Sequence, residues 1–233
     1  MSTVPANARL LKMVLRALLC NCLIVAAATL ALAQPVAQPP PTRIVVLGDS
    51  LVAGFQLKAS DAFPAQLERA LQAQGHAVEV INAGVSGDTT AAGRDRVAWA
   101  VPPGTDAVIL ELGANDALRG LDPAQAKSNL DKIISELKAG GAEVLLAGML
   151  APRNLGESYG QAFDAIYPAL AQKHGLILYP FFLDGIALKA QFNLGDGLHP
   201  NSSGVAEIVQ RIMPAVEQLI DRVRSHRAAA SKG

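Results

Sequence analysis

Residues 43–55 read RIVVLGDSLVAGF: the unbroken apolar run Ile44–Leu47 stops on Gly48-Asp49-Ser50. A strand that is apolar at every position, rather than at every second one, is covered on both faces, as in parallel sheets flanked by helices. Four further strand candidates, VEVINAG (78–84), AVILELG (107–113), EVLLAGML (143–150) and LILYPFF (176–182), follow with helical patterns between. That rhythm predicts an α/β fold, a three-layer α/β/α sandwich around a five-stranded parallel sheet.

The clearest helix follows Asp122-Pro123, a cap and a first-turn proline, with Ala126, Leu130, Ile133, Ile134 and Leu137 on one face before Gly140-Gly141. A last helix is expected over roughly 203–224 from Val205, Ile208, Val209, Ile212, Val216, Leu219 and Val223, with a kink at Pro214. Residues 226–233 read as a disordered tail.

Outward in the other direction, QPVAQPPPT (34–42) is a proline-rich tether. Before it, Arg9, Lys12 and Arg16 precede a largely apolar stretch ending in Ala31-Leu32-Ala33, the pattern of a cleaved signal peptide over 1–33. Uncleaved, the same stretch would be an N-terminal membrane anchor. Either way the domain over 43–225 is expected outside the cytoplasm, periplasmic or secreted.

With 233 residues, 51% of them hydrophobic, the chain can build one large core. The only cysteines, Cys20 and Cys22, fall in the leader, which removes disulfides and thiol chemistry from the mature domain. Three of the 20 basic residues and none of the 20 acidic ones also fall there, which leaves a formal charge of −3 and makes nucleic acid an unsuitable partner.

In an open parallel sheet, ligands bind beyond the carboxyl ends of the strands. Ser50 follows the first strand, Gly84 the second and Asn115 the third, while Asp196 and His199 of DGLHP (196–200) precede the last helix. Taken singly, each has an ordinary reading: Asp49 or Ser50 as a helix cap, GVSGDTT (84–90) as a turn and cap, Asn115-Asp116 as a turn, and His199 as a loop residue. Their joint occurrence at successive strand ends outweighs these readings. The chain contains no G-x-S-x-G, G-x-x-x-x-G-K-[ST], G-x-G-x-x-G or H-E-x-x-H.

Over essentially all of 43–225 the sequence resembles the SGNH hydrolases, also called GDSL esterases, with the blocks GDSL at 48–51, GVSGDTT, GANDAL (113–118) and DGLHP in that family's order. LELGANDALRG (110–120), IYPALA (166–171) and YPFFLDG (179–185) resemble its exported arylesterase, thioesterase and lysophospholipase branch. The resemblance implies the flavodoxin-like SGNH hydrolase fold and a serine esterase acting through an acyl-enzyme. It makes Ser50 the nucleophile, His199 the base and Asp196 its orienter. It assigns the oxyanion hole to the Ser50 and Gly84 amides and the Asn115 side chain. Ala114 occupies a slot that the family often fills with glycine, a departure expected to matter little because a methyl group there changes only how closely substrate approaches.

The implied substrate is a small-molecule acyl ester, thioester or lipid, with membrane contact only through a retained N-terminal segment. Leu155, Tyr159 and Phe192 are the expected pocket walls. Asp49, Asp116, Asp196 and His199 could together hold a divalent ion, but that would leave Ser50 without a role, so neither metal nor cofactor is expected. A monomer is compatible with every motif, though the sequence fixes no oligomeric state. Two other readings keep the same cleft: an extracytoplasmic O-acyltransferase or deacetylase of polysaccharides, and a non-catalytic ligand-binding protein. The intact set of Ser50, Asn115 and His199 argues against the second.

Overall fold

The computed structural model describes residues 40–231; the leader expected over 1–33 and the tether residues 34–39 lie outside the described residues. Strand β1 (Thr42–Gly48) is an interior strand, and its Ile44, Val45, Val46 and Leu47 have no exposed surface. Its first residue comes from the expected tether: the Thr42 amide donates to Ala77 O at 2.8 Å, and Thr42 pairs with Val78.

After β1 come α1 (Ser50–Ala53), α2 (Phe63–Ala73), β2 (Val78–Gly84), α3 (Thr90–Ala100) and β3 (Ala107–Glu111). Then follow α4 (Ala114–Leu118), α5 (Pro123–Ala139), β4 (Glu143–Ala147), α6 (Glu157–Asp164), α7 (Ile166–His174), β5 (Ile177–Tyr179) and α8 (Ser202–Ala230). All strand pairs are parallel, in the order β2-β1-β3-β4-β5. Helices α2 and α8 pack together on one face, and α3, α5 and α7 on the other, giving the expected three layers.

This strand order is the flavodoxin-like one, in which successive crossovers leave β1 in opposite directions. The crevice opens where they part, at the carboxyl ends of β1 and β3. The residues after those two strands are Asp49-Ser50 and Leu112–Asn115.

The predicted helix over 123–139 forms as expected, with Asp122 Oδ1 accepting from the Ala124 amide at 2.9 Å and Pro123 in the first turn. Strand β5 is shorter than the apolar run 176–182, because Pro180 has no amide hydrogen to extend the ladder. Phe182 beyond it is still fully buried.

Helix α8 corrects the C-terminal expectation. It continues through Pro214 and past residue 225 to Ala230, so residues 226–230 are helical rather than a disordered tail. Polar contacts hold this extension, which a search for apolar periodicity cannot register. The Arg227 guanidinium grips Asp106 at 2.6 and 3.1 Å, and His226 Nδ1 lies 2.8 Å from Glu143 Oε1.

Candidate active site

Ser50 is the first residue of α1, immediately beyond β1. A side chain at Gly48 would run into Val52 and the end of β3, at Glu111, so only glycine lets the strand turn into the helix here. Asp49 then caps α1, its Oδ1 accepting from the Leu51 amide at 3.0 Å. The expected cap is thus Asp49, and Ser50 is left with its hydroxyl available.

That hydroxyl lies 3.0 Å from His199 Nε2, and His199 Nδ1 lies 2.7 Å from Asp196 Oδ2. A carboxylate can only accept, so Nδ1 carries the ring proton and Nε2 is the acceptor that faces Ser50. The loop carrying the pair is tightly folded. Gly197 takes φ +70, and Asp196 Oδ1 accepts from the amides of Leu198 (2.9 Å) and His199 (3.0 Å). The His199 carbonyl accepts from Leu194 N at 2.7 Å, and the Phe55 ring lies 4.4 Å from the imidazole, tilted by 35°. The two backbone amides, followed by the imidazole itself, pull the Asp196 carboxyl down to about 2, so it is a carboxylate throughout the working range of a histidine.

Asn115 stands at the start of α4, after Gly113 at φ +121. Its Nδ2 donates to Asp49 Oδ2 and to Asp88 O, both at 3.0 Å. The neighbouring Asp116 ties the loop down, accepting from the Thr90 amide at 2.8 Å and the Thr90 hydroxyl at 2.7 Å.

Gly84 does not occupy the place expected of it. Its amide donates to Asn82 Oδ1 at 2.9 Å, and a Cβ there would strike the backbone of Ala53 and Val52. It is a close-packing glycine that lets α1 lie against β2, and its N–H is already bonded. Gly87, three residues on, takes φ +86 beside Asp88, and its amide has no acceptor among the described residues.

Behind the serine, Glu111 at the end of β3 was not singled out from the sequence, though a lone carboxylate in the apolar run AVILELG was the available signal. It is fully buried, as is Asp49, and its Oε2 accepts from the Asp49 amide at 3.3 Å. Burial, eased by hydrogen bonds from Leu51 and Asn115 and by nearby His199, raises Asp49 to about 6. Burial and then the adjoining Asp49 carboxylate raise Glu111 well above its ordinary value.

From Ser50 and His199 a cavity of about 690 Å³ extends between the loops after β3, β4 and β5. Its walls are mostly apolar, with Ala114, Met149, Leu150, Leu183, Leu188 and Leu198 among them. The three expected wall residues lie elsewhere. Tyr159 donates its hydroxyl to Leu121 O at 2.8 Å and stacks on Phe163. Leu155 closes the 3₁₀ turn Arg153–Leu155, while Phe192 packs on the core with its carbonyl accepting from Asn201 N at 2.9 Å. The loop 151–160 does contribute to the wall, but through Ala151–Asn154.

The profile of the GDSL-like lipase/acylhydrolase family matches residues 46–207 of this chain. The chain belongs to that family. Two relatives of this GDSL-like lipase/acylhydrolase are an arylesterase of Vibrio mimicus and thioesterase 1/protease 1/lysophospholipase L1 of Escherichia coli K12. The first is 42% identical over 72% of this chain and 86% of its own length; the second is 38% identical over 76% and 85%. The solved structure of AlinE4, an SGNH-hydrolase family esterase, superposes with a TM-score of 0.66 at 44% identity, covering 78% of this chain and 98% of that one. As a member of the GDSL-like lipase/acylhydrolase family with these relatives, the chain is an ester-hydrolysing serine hydrolase, and a binding protein without chemistry is set aside.

Proposed function

We propose that Ser50 is the nucleophile, His199 the general base and Asp196 its orienter, acting on esters whose apolar acyl group lies in the cavity beside them. The observation that carries this reading is the unbroken chain from Ser50 Oγ through both imidazole nitrogens to Asp196, at 3.0 and 2.7 Å. His199 accepts the hydroxyl proton as Oγ attacks the acyl carbon, Asp196 stabilises the imidazolium, and the imidazolium protonates the departing alkoxide or thiolate. Water then repeats the cycle on the acyl-enzyme.

The developing oxyanion is met by the Ser50 amide, by the amide of Gly87 in place of Gly84, and by the Asn115 side chain, which keeps one Nδ2 hydrogen on Asp49 and turns the other from Asp88 O to the oxyanion. Gly87 is supported by its position beside Asp88, whose carbonyl is 3.0 Å from Asn115 Nδ2, and by its unbonded N–H. The apolar cavity supports an acyl chain as the recognised part of the substrate, including the thioester and lysophospholipid substrates named for the Escherichia coli relative. The leader pattern over 1–33 supports action outside the cytoplasm.

The test is hydrolysis of p-nitrophenyl esters of increasing acyl length by the wild type and Ser50→Ala, followed by palmitoyl-CoA and a lysophospholipid. Turnover that rises with acyl length and falls to background in Ser50→Ala is expected. Folded wild type inactive on every ester, or a Ser50→Ala variant that keeps its rate, would overturn the assignment.

A further inference from the structure

Two carboxyl groups, Asp49 and Glu111, lie fully buried and side by side behind the nucleophile, and neither has a cationic partner in contact among the described residues. Asp49 is well supplied with donors: the Leu51 amide on Oδ1 and Asn115 Nδ2 on Oδ2. Glu111 is not. Its Oε2 receives the Asp49 amide, and its Oε1 is buried without any hydrogen-bond partner. A carboxylate stranded in that way is costly, whereas a carboxylic acid needs one acceptor for its proton, and the adjoining Asp49 is one.

The other ionisable groups facing the pair do not offer a substitute. Arg96 is spent on Asp88, Ala83 O and Gly48 O, and Asp116 on Thr90. The Tyr167 hydroxyl donates to Leu112 O, and His199 is held by Asp196.

We infer that Glu111 is a positioning residue for the oxyanion-stabilising amide: as a neutral acid it donates its proton to Asp49, and Asp49 in turn holds Asn115 Nδ2 in place. This rests on the serine-hydrolase reading above and names a further participant in it. Two consequences follow from the geometry. Asp49 holds Asn115 through one Nδ2 hydrogen, so the amide stays in place when the other leaves Asp88 O for the oxyanion. The shared proton also keeps the buried pair from carrying two negative charges beside the position where the oxyanion forms, which would oppose the reaction.

The effect should therefore appear in kcat and run through Asn115. Wild type must turn over p-nitrophenyl ester and Ser50→Ala must not; failure there removes the hydrolase reading itself. With that met, Glu111→Leu, which removes the donor while keeping apolar bulk, is expected to lower kcat by about 10²-fold with little change in KM, the scale of losing one oxyanion donor. Glu111→Gln, whose amide can still donate to Asp49, should recover most of that loss. In a double-mutant cycle, Glu111→Leu should cost little once Asn115 is alanine. A Glu111→Leu variant that is folded and fully active, or losses that add independently of Asn115, would overturn the inference. Should Glu111→Leu fail to fold, infrared spectra of wild type and Glu111→Gln at neutral pH decide: a buried protonated-carboxyl band that Glu111→Gln lacks supports it, and absence of the band from wild type overturns it.

Discussion

Replacing Asn115 with alanine removes the side-chain amide proposed for the oxyanion while leaving the serine, histidine and aspartate in contact. A loss of about 10²–10³ in kcat with KM nearly unchanged is expected from steady-state kinetics. Asp196→Asn removes the acceptor that fixes the His199 tautomer, and a loss of up to about 10⁴ in kcat is expected. Because its hydrogen bonds hold the Asp196 carboxyl at about 2, activity is expected to show no loss from its protonation on mild acidification, which a pH–rate profile checks. Glu111 has the opposite sign: its folded value lies above the ordinary 4.5, so the folded state binds a proton that the unfolded chain releases. Its stabilising contribution is complete below that value and is lost as pH rises toward the folded one. Urea midpoints of wild type relative to Glu111→Gln should therefore fall as pH rises above about 4.5. A difference that is flat or grows in favour of wild type would show Glu111 to be ionised in the fold. At this scale the meeting of Ser50, Asp196 and His199 was legible because each lies in a short motif at a turn. Gly84 was misread because the direction of an amide depends on what else packs there, here Asn82 and α1.

The elements were more legible than their ends. Strands β1, β3 and β4 announce themselves by apolar runs that both faces of the sheet bury, the edge strands β2 and β5 do so less fully, and α5 does so by its cap, its proline and its stripe. Where the chain leaves a strand is a matter of single residues in tertiary contact: Pro180 stops β5, Thr42 joins β1, and polar contacts carry α8 onward. The pairing of α1 with β2 is the contact on which the serine most depends, and it rests on the absence of a side chain at Gly84. Gly84→Ala is expected to force α1 off the strand, costing about 1–3 kcal/mol of stability as overpacking does. It should also reduce kcat by displacing Ser50. Denaturant unfolding beside ester hydrolysis checks both, and an alanine variant with wild-type stability would show that the contact yields freely.

At the scale of the whole molecule, the sheet gathers at one crevice residues that are up to 149 positions apart in sequence, as between Ser50 and His199. The apolar walls of the cavity come from the loops after three different strands, which is why no single stretch of sequence revealed them. Leu188, 94% exposed and at φ +63, stands on its rim. At the opposite end, the last turns of α8 are fastened across the amino ends of β3 and β4 by Arg227 and His226. Ending the chain after Ser225 is expected to leave activity intact and to cost about 1 kcal/mol, lowering Tm by about 2–4 °C, as partly exposed ion pairs do. A larger drop in a thermal scan would make this clasp part of the core.

The proposed acyl-enzyme on Ser50 is read directly by intact-mass spectrometry with peptide mapping during turnover of a slow p-nitrophenyl ester. An acyl mass on the peptide that contains Ser50, absent from Ser50→Ala and accumulating with the first equivalent of p-nitrophenol, is expected. Steady turnover with no adduct on that peptide, or with the adduct on another residue, would contradict the claim.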